Sequence, residues 1–287
     1  LDCRNEEYAR RGEDPYRDSQ LVKDGPWRQF VQAYRRAIDT EVSRRIGETV
    51  RLIKFYAPNQ LVSARQGYGG NGSAGPSIIA HYPLDLASTG AHFDFLCPEG
   101  YEIGLDPYDS NSEGVRSSIR SGMATTTAYA RWASGGKPVV WVEFGYDLYR
   151  RWDPRALRPY DPYNPPSREL SNQRLYYSLF LDAMLESEAE GSAGWWSPGG
   201  IRLDEGSDYG IVSPARAERP VCSIYRQKSY ALLSPRPARP NAPPHTFDLL
   251  GGVRGYTDIY EAARPAALQA LNQGKRFVIQ PQGSGTT

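Results

Sequence analysis

An α/β fold around a parallel sheet is the class this sequence predicts, on three observations. Short runs rich in β-branched and aromatic residues, each about five residues long, alternate with longer stretches of helical periodicity. The clearest strand is Pro138-Val139-Val140-Trp141-Val142-Glu143-Phe144, bounded by Gly135-Gly136 and by Gly145. No GxGxxG or P-loop string follows any strand, which weighs against a nucleotide-binding open sheet. Alternation by itself fits both a closed barrel and an open doubly wound sheet.

Each element has its own signal. The chain opens on a strand-like piece, Leu1-Asp2-Cys3-Arg4, followed by Asn5-Glu6-Glu7. Trp27, Phe30, Val31, Tyr34 and Ile38 fall on one helical face, and Val42, Ile46, Val50 and Ile53 mark a second helical stretch that Pro58 ends. Residues 60–65 read as a short buried strand, and a Gly-rich loop follows at 67–72. Residues 91–96 read as the next strand and 112–134 as a helix. After the strand at 138–144 comes a loop carrying Pro154, Pro159, Pro162, Pro165 and Pro166. A helix over 170–189, a short strand over 191–196 and a helix near 220–232 complete residues 1–233. A Pro-rich linker occupies 234–244, and 245–287, with a strand at Lys275–Gln280, reads as the beginning of a β-rich accessory domain.

Composition narrows the function. Lys and Arg total 34 against 33 Asp and Glu, so no global basic field calls for nucleic acid or an anionic membrane. Mean hydropathy is −0.60, and no apolar run approaches the roughly 20 residues that span a bilayer. Three Cys make no disulfide framework, no CxxC spacing suggests zinc, and His81, His92 and His245 are too scattered for a metal cluster. Cys97 and Cys222 are left open as a pair. Tyr outnumbers Phe 20 to 8, and Tyr and Trp offer a flat apolar face with a polar handle, suited to sugar rings and equally to ordinary packing. The first residue is Leu and no signal peptide follows, which reads as a processed or truncated product and leaves the compartment unassigned.

The informative carboxylates stand at strand ends. Glu143 closes an apolar strand, where a charge is costly unless it faces a hydrogen-bonded site. Glu6 stands in the same relation to the opening strand. Two such groups across one barrel mouth suit glycoside hydrolysis, one carboxyl as acid and the other as nucleophile. The bland alternative is a capping or solvated glutamate at each position.

Four strings in order resemble glycoside hydrolase clan A. Leu1-Asp2-Cys3-Arg4-Asn5-Glu6 is similar to that clan's strand-four Asn-Glu motif, and Lys137–Gly145 to its strand seven. Gly194-Trp195-Trp196 resembles strand eight, and Ser207–Val212 with Arg219-Pro220 resembles the exit after it. The resemblance covers about residues 1–233 and is closest to family 5-like enzymes. It implies the C-terminal part of a (β/α)8 TIM barrel, strands four to eight, acting as a retaining β-glycoside hydrolase on a β-linked glycan.

Site roles follow from the resemblance. Glu6 would be the acid/base and Glu143 the nucleophile, with carboxyls about 5–5.5 Å apart. Asn5 would bind the substrate 2-hydroxyl, Tyr101 would orient Glu143, and Trp195 or Trp196 would stack on the −1 sugar. Arg65 and Gln66 would line the cleft, and Trp152 with Tyr146, Tyr149, Tyr160 and Tyr163 would form plus-side subsites or simply cover the rim. Glu99 reads as a further mouth carboxylate, either a substrate contact or, more in keeping with its surroundings, a solvated loop residue, and His92 reads as structural. No metal or organic cofactor is implied, since two carboxyls suffice.

The pattern departs from the clan in lacking strands one to three and the Arg near strand two. The expected partners are therefore the carbohydrate substrate and an N-terminal fragment or chain that completes the barrel, with no nucleic acid and no membrane. Secretion suits a polysaccharide-degrading enzyme. The rival function is a non-catalytic carbohydrate-binding or scaffold protein on a degenerate barrel. A barrel lyase or aldolase would want a strand-end Lys, whereas Lys54 falls in a helix and Lys137 at a strand's start.

Overall fold

The computed structural model describes residues 25–66, 86–100, 113–149, 159–233, 244–248 and 256–280. Helix α1 (Arg28–Tyr56) is continuous, where the apolar pattern suggested two stretches. Ion pairs carry the polar middle: Arg35–Asp39, Glu41 with Arg44 and Arg45, and Arg44–Glu48 all sit three or four residues apart. The helix stops before Pro58, with the Ala57 N–H donating to the Ile53 carbonyl.

Four short parallel strands follow: β1 (Arg65–Gln66), β2 (Cys97–Pro98), β3 (Val140–Trp141) and β4 (Gly191–Ser192). β1 pairs with β2 and β3 with β4, and the bridges Leu96↔Val139 and Glu99↔Glu143 join β2 to β3. Further backbone bonds extend this ladder. Asp94 N donates to Val62 O, Gly100 N to Glu143 O at 2.7 Å, and Trp195 N to Phe144 O at 2.7 Å. The strand expected over 91–96 is shifted toward the C-terminus. A short helix α2 (Leu86–Thr89) and a 3-10 turn (Gly90–His92) occupy its front, and the ladder runs from Leu96 to Glu99. His92 is structural, as its place in the sequence suggested. Its ring bonds Ser43 Oγ at 2.9 Å and packs on Gly47, where a Cβ would lie 2.9 Å from the imidazole.

Parallel strands need crossover connections, and α3 (Glu113–Ser134) and α4 (Ser167–Glu186) supply them between β2, β3 and β4. Both bury aromatic and small residues against the sheet. Phe144 stacks on Phe180 of α4 with centroids 4.0 Å apart, and Trp141 meets Phe180 edge-on while its indole N–H donates to Thr127 of α3. Tyr176 and Tyr177 are fully buried on α4, with Tyr177 packed edge-on against Tyr225 of α5 (Val221–Leu233).

The segment expected to open a β-rich domain contains a helix as well as strands. β5 (His245–Asp248) and β6 (Phe277–Gln280) pair in parallel, and helix α6 (Tyr256–Asn272) lies between them in sequence. Pro265 inside this stretch argues against a helix. The burial of Ala263, Ala267, Ala270 and Leu271 on one face outweighs it. α6 packs on α3, where Arg264 donates to Ser118 and Ser121, and Arg120 joins Glu186 of α4 to Asn272 of α6. Cys97 and Cys222 are both free thiols, so the pairing left open in the sequence is not made.

Burial raises the pKa of Tyr176, Tyr177 and Tyr225 above the ordinary phenol range, and neighbouring phenols add to the effect at Tyr176 and Tyr177. In the unfolded chain these groups ionise near pH 10. The unfolded state therefore releases their protons first, and stability falls as pH climbs above about 10, with no such loss below about pH 9. A titration following phenolate absorbance and circular dichroism together should show these tyrosines ionising only as the protein unfolds. Ionisation of all 20 tyrosines in one ordinary wave, with the fold intact, would contradict this.

Candidate active site

Three neighbouring strands bring charged residues together. Arg65 lies in β1, Glu99 directly follows β2, and Glu143 lies just past β3. The parallel bridge sets Glu99 beside Glu143, at the strand spacing of about 4.8 Å. Two carboxylates so placed repel each other. The Arg65 guanidinium lies between them, with Nε 2.8 Å from Glu99 Oε1 and Nη1 2.5 Å from Glu143 Oε2. Glu99 is buried at 3% exposure and Glu143 at 7%, while the Arg65 side chain is 59% exposed. The cluster therefore reaches solvent through Arg65. Glu99 is not the solvated loop residue that its Pro-Glu-Gly surroundings suggested, because the β2 ladder extends one residue further than the apolar run.

Two glycines let the backbone close around this cluster. A Cβ on Gly100 would collide with the Phe180 ring, and one on Gly145 would collide with the Trp195 carbonyl oxygen. Gly145 thus permits the chain after Glu143 to run against the chain after β4, where the Trp195 N–H donates to Phe144 O. Trp195 and Trp196 stack with centroids 5.1 Å apart. The Arg202 guanidinium packs on both rings, 5.1 and 4.8 Å from their centroids, and is itself paired with Glu205 at 2.9 Å. Gln66 does not face a cleft. It is buried, and its Oε1 accepts from Cys97 N, locking β1 to β2.

A second buried node braces the loops above these strand ends. Asp208 and Arg219 form a bidentate pair, Nη1–Oδ1 at 3.0 Å and Nη2–Oδ2 at 2.8 Å, with both residues buried. Asp208 also accepts from Tyr160 Oη at 2.6 Å and from Gly210 N, and Asp147 accepts from Asp208 N at 2.7 Å. Arg219 donates onward to the carbonyls of Gly210 and Pro162. The loop after β3, the Pro-rich loop and the loop after β4 are thereby tied together. The exit string in the sequence included Asp208 and Arg219 but gave no hint of this pairing. Burial and the bond to Asp208 hold the Tyr160 phenol far above its ordinary range.

The tyrosines expected to form subsites divide. Tyr146 is a core residue donating to Glu169 at 2.7 Å, Tyr160 belongs to the Asp208 node and packs against Tyr149, and Tyr163 is exposed. Glu6, Asn5, Tyr101 and Trp152 lie outside the described residues. Among the described residues, no group of three His, Cys, Asp or Glu is placed to hold a metal ion, and no helix is long and apolar enough to cross a membrane.

No protein-family model matches the sequence, and no curated protein matches it. Solved structures do. GH5_18 from Streptomyces cattleya, solved in complex with Manβ1-4GlcNAc, superposes with a TM-score of 0.57 at 14% identity, over 84% of this chain and 56% of that one. The fold is that of the clan A glycoside hydrolases. GH5_18 from Bifidobacterium longum subsp. longum, also with Manβ1-4GlcNAc, gives a TM-score of 0.50 at 11% identity over 76% of this chain and 48% of that one. The chain spans about half the length of these structures. Within this fold β1 to β4 form one parallel ladder, with Glu99 and Glu143 just past the C-terminal ends of β2 and β3.

Removing one partner of a buried ion pair leaves the other uncompensated and costs about 3–5 kcal/mol. Asp208→Asn should therefore lower the unfolding free energy by about that amount, read by chemical denaturation. A loss under about 1 kcal/mol, the scale of an exposed pair, would show that Asp208 does not brace these loops.

Proposed function

We propose that this protein is a retaining β-glycoside hydrolase in which Glu143 is the nucleophile and Glu6 the acid/base. The observation that carries the reading is the buried Glu143 carboxylate at a strand end, held at 2.5 Å by Arg65. That contact fixes the carboxylate orientation and compensates its charge. The Trp195–Trp196 pair, anchored through its backbone to the residue after Glu143, supplies an aromatic surface of the kind that sugar rings stack on. The Manβ1-4GlcNAc held by the two GH5_18 structures supports a short β-linked glycan as substrate. Completion of the barrel by further βα units is part of the proposal.

The chemistry needs two steps. Glu143 attacks the anomeric carbon as the glycosidic C–O bond breaks, and Glu6 gives its proton to the leaving oxygen. Water then attacks the same carbon, returns a proton to Glu6 and releases the Glu143 carboxylate. Glu143→Gly in the assembled protein should lower turnover of aryl β-glycosides by about 10⁴-fold or more. Added azide or formate should restore part of the rate from the vacated side. Glu6→Ala should spare dinitrophenyl glycosides and slow natural ones by about 10²–10⁴-fold, because only the poor leaving group needs the proton. Equal losses on both substrate types would remove Glu6 from this role, and binding of glycans without any turnover would favour a carbohydrate-binding protein.

A further inference from the structure

The geometry points to Glu99 as a positioning residue that keeps Arg65 on Glu143 throughout the reaction, an inference that rests on Glu143 being the nucleophile. Arg65 is long, flexible and 59% exposed, so its contact with Glu143 competes with water. Glu99 supplies a second, buried contact on the Nε edge of the same guanidinium, 2.8 Å away, while Nη1 faces Glu143. The guanidinium spans two carboxylates on adjacent strands, as an ion pair to Glu99 and a hydrogen-bonded pair to Glu143, and the Glu99↔Glu143 bridge sets them side by side for it.

Charge bookkeeping gives Glu99 a further role. When Glu143 bonds the anomeric carbon and the leaving oxygen departs with the acid's proton, its carboxylate becomes a neutral ester. Arg65 then loses the charge it was paired with at Glu143. Glu99 takes no part in bond making and keeps its negative charge in both states. The guanidinium therefore retains a partner in the glycosyl-enzyme and is in place when Glu143 is released. Without Arg65 the same Glu99 would be a like charge beside the nucleophile, so its effect depends on the cation between them.

The test is a double-mutant cycle on the assembled protein, with 2,4-dinitrophenyl β-mannoside and β-glucoside as probes. Glu99→Gln should lower kcat by about 10- to 100-fold, the usual cost of removing a supporting residue behind a site, with KM little changed. In an Arg65→Met background, Glu99→Gln should cause no further loss. Equal fold-losses in both backgrounds, or no loss in either, would overturn the proposal. Should Glu99→Gln not fold, Arg65→Lys replaces it. An ammonium keeps the charge but lacks the fork, so the same fall in kcat is expected, and an undiminished kcat would overturn the proposal. If the unaltered protein turns over the aryl glycosides and Glu99→Gln is silent, Glu99 alone loses its role. If the unaltered protein turns over neither, the glycosidase reading falls and this inference falls with it.

Discussion

The ion triad Glu99–Arg65–Glu143 is the constraint on which the candidate site depends. It is a product of parallel register. A shift of one residue between β2 and β3 would turn one of the two glutamates to the opposite side of the sheet. The guanidinium would then no longer span these two carboxylates. The core secures that register from the helix side, where Trp141 and Phe144 flank Glu143 in sequence and both pack on Phe180. A buried glutamate is thus tolerated at the end of an apolar strand because its neighbours anchor the strand and Arg65 compensates its charge.

The loops beyond the strand ends are held by a different kind of interaction. Asp208 and Arg219 are buried together, and each carries additional hydrogen bonds to backbone from other loops. Such a node contributes little net stability compared with apolar packing, but it makes one loop arrangement strongly preferred over others. It sits in the chain just after the tryptophan pair, so it sets where those rings stand relative to β3. Close backbone approach at Gly145 completes the link.

Much of this was legible in the sequence, for physical reasons that differ by element. α3, α4 and α5 announced themselves through apolar periodicity, and β3 through its β-branched and aromatic run between glycines. Glu143 was legible because a charge at the end of such a strand is costly without a purpose. Glu99 was legible as a carboxylate near the mouth but not as a buried strand end, because Cys97-Pro98 and Gly100 around it read as a turn, and only pairing with a strand some forty residues away makes it one. α6 was hidden by Pro265, whose local cost is outweighed by tertiary burial against α3. The Asp208–Arg219 pair shows the same limit: both residues stood in a matched string, yet nothing local reveals that they are buried together.

The central claim is that Glu143 forms the covalent bond to the sugar. Mapping the site of attachment tests it most directly. The assembled protein would be treated with 2,4-dinitrophenyl 2-deoxy-2-fluoro-β-mannoside and the corresponding glucoside, which slow release of the intermediate, and the labelled peptide sequenced by mass spectrometry. The account predicts the fluoroglycosyl group on the Glu143 carboxyl, in the peptide carrying Trp141 and Phe144. A label on Glu99 or any other residue, or turnover of the parent glycosides with no covalent adduct, would contradict it.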